Sequence, residues 1–359
     1  MRPSTQAVID IGGRYIGPGH PVYIVAEISA NHHQHFNQAV ALLKAAKEAG
    51  ADAVKLQTYT PDTLTLRCDR NCFRIGGDTL WDGRTLYDLY SEAYMPWSWQ
   101  PKLKAVAEDL GLDFFSTAFD PSAVDFLEAL GVPVHKVASF EIVDIPLIEK
   151  MARTGKPLII STGMALLEEI QEAVQAAHKA GATQIALLKC TSAYPAPPEE
   201  MHLRTLPHLW ETFHLPVGVS DHTLGVAVPA AAVALGACLV EKHLTLSRAT
   251  PGPDSAFSLE PWEFKAMAEA IRTVEKALGE VHYGAGEQEG KSRAFRRSLF
   301  VVQDVQAGEP LTADNIRSIR PADGLHPRHL HEVLGCRARQ YIPRGTPLTW
   351  NLIDKTREA

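Results

Sequence analysis

The chain has 359 residues, 45% of them hydrophobic, and a formal net charge of −7. That length supports one large core and a second, small one. The charge excludes wholesale binding to nucleic acid or to an anionic membrane, so any anionic substrate must be met by local lysines and arginines.

The N-terminal stretch MRPSTQAVIDIGGRYIG lacks the charged start and long apolar run of a signal peptide. The first strand is expected at VYIVAE (22–27), which delivers Glu27 at its end and runs into SANHHQHF. A zinc site made of His32, His33 and His35 would need another convergent ligand, and their spacing in a loop does not bring the rings together. Asn31 and His32 are expected to line the mouth beside Glu27 or to start the next helix, with His33 and His35 on the surface of the turn. The amphipathic segment FNQAVALLKAAKEAG (36–50) follows, closed by a glycine. The second strand, AVKLQT (53–58), carries Lys55 and Gln57. Residues 59–100 form a long insert rich in Trp, Tyr, Gly and Asp, of the kind that makes a lid.

Next come DFFST (113–117), delivering Thr117 and Phe119, and VHKVA (134–138), delivering Lys136, Ser139 and Glu141. PLIIS (157–161) ends in the triplet Ser161-Thr-Gly, and is followed by the helical LEEIQEAVQAAHKAG (167–181). QIALLK (184–189) leads into CTSAYP, with Ser192 and Tyr194; PVGVS (216–220) ends in SDHT, with Ser220 and His222. The longest apolar run, VPAAAVALGACLV (228–240), is too short to span a bilayer and reads as a helix running into the eighth strand, CLVEKH (238–243), with His243 at its end. The five cysteines, Cys68, Cys72, Cys190, Cys238 and Cys336, form no paired CxxC modules. This pattern predicts a reducing, cytoplasmic setting without disulfides or structural zinc.

Eight strands alternating with helices predict α/β architecture, a (β/α)₈ TIM barrel over residues 1–283. A doubly wound sheet is the runner-up. The barrel is preferred because polar residues gather at the C-terminal end of nearly every strand, where active sites of this fold sit. The polar, glycine-bearing GAGEQEGKSRAFRR (284–297) reads as a linker. Residues 298–359 read as a small β-rich unit with an internal repeat, VQAGEPLT (305–312) matching IPRGTPLT (342–349). Roughly sixty residues is marginal for an independent core, so this unit is expected to dock on something.

His222 and His243, at the ends of neighbouring strands ~4.8 Å apart, are the metal candidates. Two imidazoles leave positions open for water and substrate, as Lewis-acid catalysis requires, and suit Mn, Co, Zn or Fe better than Mg or Ca. The competing reading is a pair of hydrogen-bonded mouth histidines. Lys55 and Lys136, with the hydroxyls of Thr117, Ser139, Ser161 and Ser220, form a cradle for a phosphorylated anion. Alternatively these lysines pair with Glu27 and Glu141, or one of Lys55, Lys136, Lys189 and Lys242 serves a Schiff-base aldolase.

AEISANH, KLQTYTPDTLTL, FFSTAFD, HKVASFEIVDIPLI, STGM, CTSAYPAPPEE, GVSDHT and EKHLTL, in this order, resemble the sialic acid synthase family, and the C-terminal unit resembles its antifreeze-like (SAF, β-clip) domain. GGDTLWDGRTLYDLYSEAYMPW, GPDSAFSLEPWEF, RSIRPADGLHPRHL and GTPLTWNLI are most similar to the pseudaminic acid branch. The resemblance implies that phosphoenolpyruvate adds through its methylene carbon to the aldehyde of an open-chain acetamido sugar. For that branch the sugar is 2,4-diacetamido-2,4,6-trideoxy-L-altrose; legionaminic and N-acetylneuraminic acid synthases are the alternatives within the family, and a non-catalytic sugar binder is the alternative outside it.

It further implies that His222 and His243 hold a divalent metal, usually Mn²⁺, with Mg²⁺ or Co²⁺ as alternatives. Lys55, Thr117, Lys136, Ser139, Ser161 and Ser220 would bind phosphoenolpyruvate, and Glu27 would be the acid/base. Gln57, Tyr194, Glu141 and Asp254, with Asn31, Phe119 and Ser192, would border the sugar. Arg320 would come from the antifreeze-like unit of a homodimer partner, reaching over the barrel. Three departures stand out: Ser192 where sialate synthases usually have Asn, Phe140 where they have Gly, and NHHQH in place of NH-x-G. The first two argue for a less hydroxylated, bulkier sugar than N-acetylmannosamine.

Overall fold

A computed structural model describes residues 7–77 and 79–355. The start of the N-terminal segment (1–6), Asp78 of the aromatic insert and the last residues of the C-terminal unit (356–359) lie outside the described residues. The chain divides into two compact units, Met1–Gly279 and Glu280–Ala359.

The first unit is a closed barrel of eight parallel strands: β3 (Tyr23–Glu27), β4 (Ala53–Thr58), β5 (Asp113–Ala118), β6 (His135–Val137), β7 (Leu158–Ser161), β8 (Ile185–Cys190), β9 (Val217–Asp221) and β10 (Leu239–His243). β10 closes the ring on β3 in a register that sets His243 opposite Glu27. Each strand matches its expected position to within a residue or two, and the run 228–240 does divide into a helix, Ala227–Ala234, and the start of β10. The strands are buried on both faces, as a parallel sheet wrapped by helices requires. Turns are set by local chemistry. Asp120 accepts from the backbone N–H groups of Ser122 and Ala123 to start helix Pro121–Leu130, and Gly131, at φ 71°, ends it. No helix among the described residues is long and apolar enough to cross a membrane.

One element was not anticipated from the sequence. β1 (Ile9–Ile11) and β2 (Arg14–Ile16) form an antiparallel hairpin. Its Ile9, Ile11 and Ile16 join the barrel's core, and Arg14 pairs with Asp113 and Asp52 at the N-terminal ends of β5 and β4. Three-residue strands carry too little periodicity to be read from sequence.

The second unit has its own core of Leu299, Val301, Val305, Leu311, Ile316, Val333, Cys336, Ala338, Ile342, Leu348 and Ile353. β11 (Ser298–Val301) pairs with β12 (Ile316–Ile319), and β13 (Arg337–Ala338) with β14 (Ile353–Asp354). The repeat read in the sequence is a structural duplication. Val305 and Ile342, equivalent in the two copies, exchange both backbone hydrogen bonds, at 2.9 and 2.8 Å. Gly308 N–H donates to Ala338 O as Gly345 N–H donates to Val301 O, each at 2.8 Å. The two glycines take φ of 80° and 89°, which is why each copy retains one.

Candidate active site

Alternation along each barrel strand sends every second side chain inward. Glu27 and Ser29, Lys55 and Gln57, Ser220 and His222, and Glu241 and His243 are such pairs, and they meet at the C-terminal mouth. Lys55 Nζ sits 2.8 Å from Glu27 Oε2 and 3.4 Å from Glu241 Oε1, and donates to Thr117 Oγ1 at 3.0 Å. Lys136 Nζ donates to Ser161 Oγ at 2.6 Å and to Val137 O at 2.9 Å. Gly163 N–H donates to Ser139 Oγ at 3.1 Å, and Ser220 Oγ donates to Glu241 at 3.0 Å. The cradle residues expected from the sequence are therefore brought together.

These groups lie almost wholly out of water, and their protonation reflects it. Burial, opposed by Lys55 and reinforced by Glu241, pushes Glu27 up to about 7. Burial works the same way on Glu241, but Lys55 and Lys136 outweigh it and hold that carboxyl below its ordinary range. Burial brings Lys136 down to about 8. Two acids share one lysine here, so one of them is poised to carry a proton near neutrality.

His222 and His243 stand with ring centroids 5.2 Å apart. His222 Nδ1–H donates to Thr191 O at 3.0 Å, so Nε2 is the nitrogen that carries the lone pair when the ring is neutral. Burial and the neighbouring His222 hold His243 well below the usual imidazole range, so it is neutral, and its Nδ1 is buried without a hydrogen-bond partner. At His222 burial is outweighed by Cys190, the Thr191 carbonyl and Asp221, which raise that ring above the usual imidazole range. Once His222 gives up its proton, the pair fits a divalent cation that takes its other ligands from water and substrate. Among the described residues no group of three or more His, Cys, Asp or Glu closes around one point.

A cavity of about 520 Å³ opens beside this cluster. Its polar wall includes Gln57, Glu141, Tyr194, His243 and Asp254, and Phe119 and Phe140 also line it. The insert supplies an apolar wall of Leu64, Ile75, Leu86, Leu89 and Ala93, with Trp81 and Tyr90. Gln57 donates to Glu27 at 3.1 Å and to Ser29 at 2.9 Å, and Ser29 in turn donates to Asp254. Trp81 packs on Tyr194, which packs on His222 at 4.6 Å. Burial raises Glu141 to about 7 against the pull of Lys136.

Other residues fall elsewhere. Asn31 is fully buried, and its amide donates to Leu244 O and Ser258 Oγ, tying two loops rather than lining the cavity. His32 is buried against Trp99, His33 is half-buried and His35 is exposed. Ser192 lies 3.9 Å from Cys190 Sγ, and a β carbon at Gly163 would stand 2.3 Å from its hydroxyl. Arg320 is an exposed residue of the second unit. Lys242 is spent in a buried ion pair with Asp221 at 2.5 Å, and Lys189 donates to Cys190 O at 2.7 Å and to Thr191 Oγ1 at 3.2 Å. Sequence reasoning missed Glu241 and Ser29. Their signal was the two-residue spacing from His243 and Glu27, which puts each on the inward face. Cys190 was also passed over: burial raises its thiol, but His222 and Ser139 bring it down to about 7.

Residues 42–283 match the NeuB family and residues 296–354 the SAF domain. The chain belongs to the sialic acid synthase (NeuB) family. It is 46% identical to a pseudaminic acid synthase of Helicobacter pylori over 94% of this chain and 99% of that one. It is 36% identical to an N,N'-diacetyllegionaminic acid synthase of Legionella pneumophila, over 92% and 94%. The crystal structure of the spore coat polysaccharide biosynthesis protein SpsE of Bacillus subtilis superposes with a TM-score of 0.66 at 35% identity, covering 97% of this chain and 99% of that one. As a member of the family, the chain is a phosphoenolpyruvate-dependent condensing enzyme acting on an acetamido sugar, and membership implies that the condensation depends on a metal.

Proposed function

We propose that the acceptor is 2,4-diacetamido-2,4,6-trideoxy-L-altrose and the product pseudaminic acid, released with phosphate. The observation that carries this reading against N-acetylmannosamine is the apolar wall of the cavity. Leu64, Ile75, Leu86 and Leu89 line the cavity with hydrocarbon. Two acetamido methyls and a deoxygenated C6 have apolar surface to bury there, whereas the hydroxyls of N-acetylmannosamine would be left unpaired. The 46% identity to a pseudaminic acid synthase, against 36% to a legionaminic one, supports the same choice.

In this reading Lys55 and Lys136 hold the carboxylate and phosphate of phosphoenolpyruvate, with Thr117, Ser139, Ser161 and Ser220 donating to its oxygens. Gln57, Asp254, Glu141 and Tyr194 orient the open-chain sugar, with Phe119 and Ser192 at its edge. His222 and His243 would hold Mn²⁺, which supplies a Lewis acid for the aldehyde oxygen and a site for the attacking water. The methylene carbon of phosphoenolpyruvate bonds to the aldehyde carbon, and the aldehyde oxygen takes a proton. Water then adds to the carbon bearing phosphate and loses one proton, and phosphate leaves by carbon–oxygen cleavage, taking the proton of the new hydroxyl as the ketone forms. Glu27, near neutrality and held by Lys55 and Gln57, is the group that gives and takes these protons. The second unit acts in trans within a homodimer, presenting Arg320 to the partner's acceptor and excluding water. We assign 1–283 to the barrel domain, 284–297 to a linker and 298–359 to the SAF domain, against a division of the chain into compact units at Gly279.

The test is phosphate release from phosphoenolpyruvate on metal-stripped protein, with and without Mn²⁺, offering the altrose and N-acetylmannosamine in parallel. Metal-dependent release with the altrose alone is expected. Release with N-acetylmannosamine, or only with the legionaminic precursor, would overturn the assignment of the acceptor.

A further inference from the structure

The histidine-rich turn after β3 is not explained by the chemistry above. Its backbone is strained: Ser29, His33 and Gln34 take φ of 45°, 47° and 58°. Two consecutive left-handed residues that are not glycine are uncommon, and such strain persists only where the surroundings over-determine it. Gln34 gains little locally from the conformation, because its side chain is too long for the self-bonding that lets Asn and Asp adopt it.

The gain lies in what the side chain reaches. Gln34 N–H donates to His32 Nδ1 at 3.0 Å, which locks the turn onto a ring buried against Trp99. The side-chain amide then donates to Glu92 O at 3.1 Å and to Tyr94 O. Those carbonyls belong to the C-terminal end of helix Leu86–Ala93, which ends on an extended Tyr94 rather than on a left-handed glycine. Helix ends leave carbonyls without intrahelical partners, and here Gln34 satisfies two from a distant loop. The same helix contributes Leu86, Leu89, Tyr90 and Ala93 to the cavity wall. Gln34 itself does not line the cavity.

We infer that Gln34 is a positioning residue for the acceptor: its strained backbone aims an amide that clamps the end of the insert's helix and so sets the apolar wall against which the sugar binds. The kinetic part rests on the proposed sugar reading; the clamp does not.

Two variants separate the clamp from the strain. Gln34→Asn keeps a residue that tolerates the left-handed conformation but shortens it beyond reach of both carbonyls. Gln34→Gly removes the strain as well as the clamp. Amide hydrogen exchange over residues 86–94, KM for the altrose and for phosphoenolpyruvate, and Tm are measured on each. Faster exchange over 86–94 and an acceptor KM raised about tenfold, the scale of two lost hydrogen bonds, are expected for both, with KM for phosphoenolpyruvate and kcat unchanged. The Gly variant should keep or raise Tm, which a merely structural role for Gln34 would not allow. Wild-type exchange over 86–94 in the Asn variant would overturn the clamp. Faster exchange with both KM values rising together, or with neither moving, would overturn the positioning role. If the altrose supports no turnover in the wild-type protein, the functional reading fails while the exchange measurement still decides the clamp.

Discussion

At the scale of single residues, the site stores protonation states that water would not allow. Glu141 faces the cavity with its Oε2 buried and without a hydrogen-bond partner, and burial lifts its pKa from 4.5 to about 7. A carboxyl raised in this way binds its proton more tightly folded than unfolded. Its stability contribution is intact below pH 4.5 and is lost as pH rises through about 7. Gln in its place cannot ionise. Glu141→Gln should therefore match the wild type near pH 4.5 and exceed its stability by about 1–3 kcal/mol at pH 8, with an acceptor KM that rises. Denaturant titrations at the two pH values check this; a stability difference independent of pH would show that Glu141 is solvated or paired in the free enzyme.

At the scale of elements, the spacing of His222 and His243 depends on how closely two strands approach. Gly218 lies in β9 where a β carbon would stand 2.4 Å from Leu239 O and 2.7 Å from Leu188 Cδ2. There is no side chain to rotate away on the Leu239 side, because the clash is with backbone. Gly218→Ala should push β9 from β10, separate His222 from His243, and cost about 1–3 kcal/mol of stability, the scale of an overpacked core. Circular dichroism melts and the Mn²⁺ affinity of the variant would report both effects. Unchanged metal affinity in a destabilised variant would mean that the pair is held by its own hydrogen bonds and not by strand spacing. In the second unit the element scale shows in the duplicated turns, where Gly308 and Gly345 occupy equivalent left-handed positions.

At the scale of the whole molecule, the proposal that the SAF domain serves a partner's barrel predicts complementation. His243→Ala should abolish turnover by removing a proposed metal ligand, and Arg320→Ala should lower it by removing a cation from the lid. Co-refolding the two variants would create mixed dimers with one barrel and one SAF domain intact on complementary chains. Activity recovered above that of either variant alone is expected if the domain acts across the dimer. No recovery would show that Arg320 acts on its own chain or not at all.

Much of this molecule was legible in its chain order. The eight barrel strands are short, mostly apolar runs with helices between them, and that alternation is a local, periodic signal. The inward polar residues followed because parity along a strand needs only the strand's position. The repeat in the second unit was legible for the same reason, since identical turns need identical glycines. What tertiary structure alone decided is which groups share a charge or a partner. Glu241 joins Glu27 on Lys55 because strands far apart in sequence are brought together when the barrel closes. Asn31 is turned from the mouth into a tie with Leu244 and Ser258, and Gln34 meets Glu92 and Tyr94 across an insert whose path no local pattern encodes. Periodicity reports what a residue's neighbours in sequence require. Hydrogen-bond partners and shifted pKa values depend on neighbours in space, and those exist only once the chain has packed.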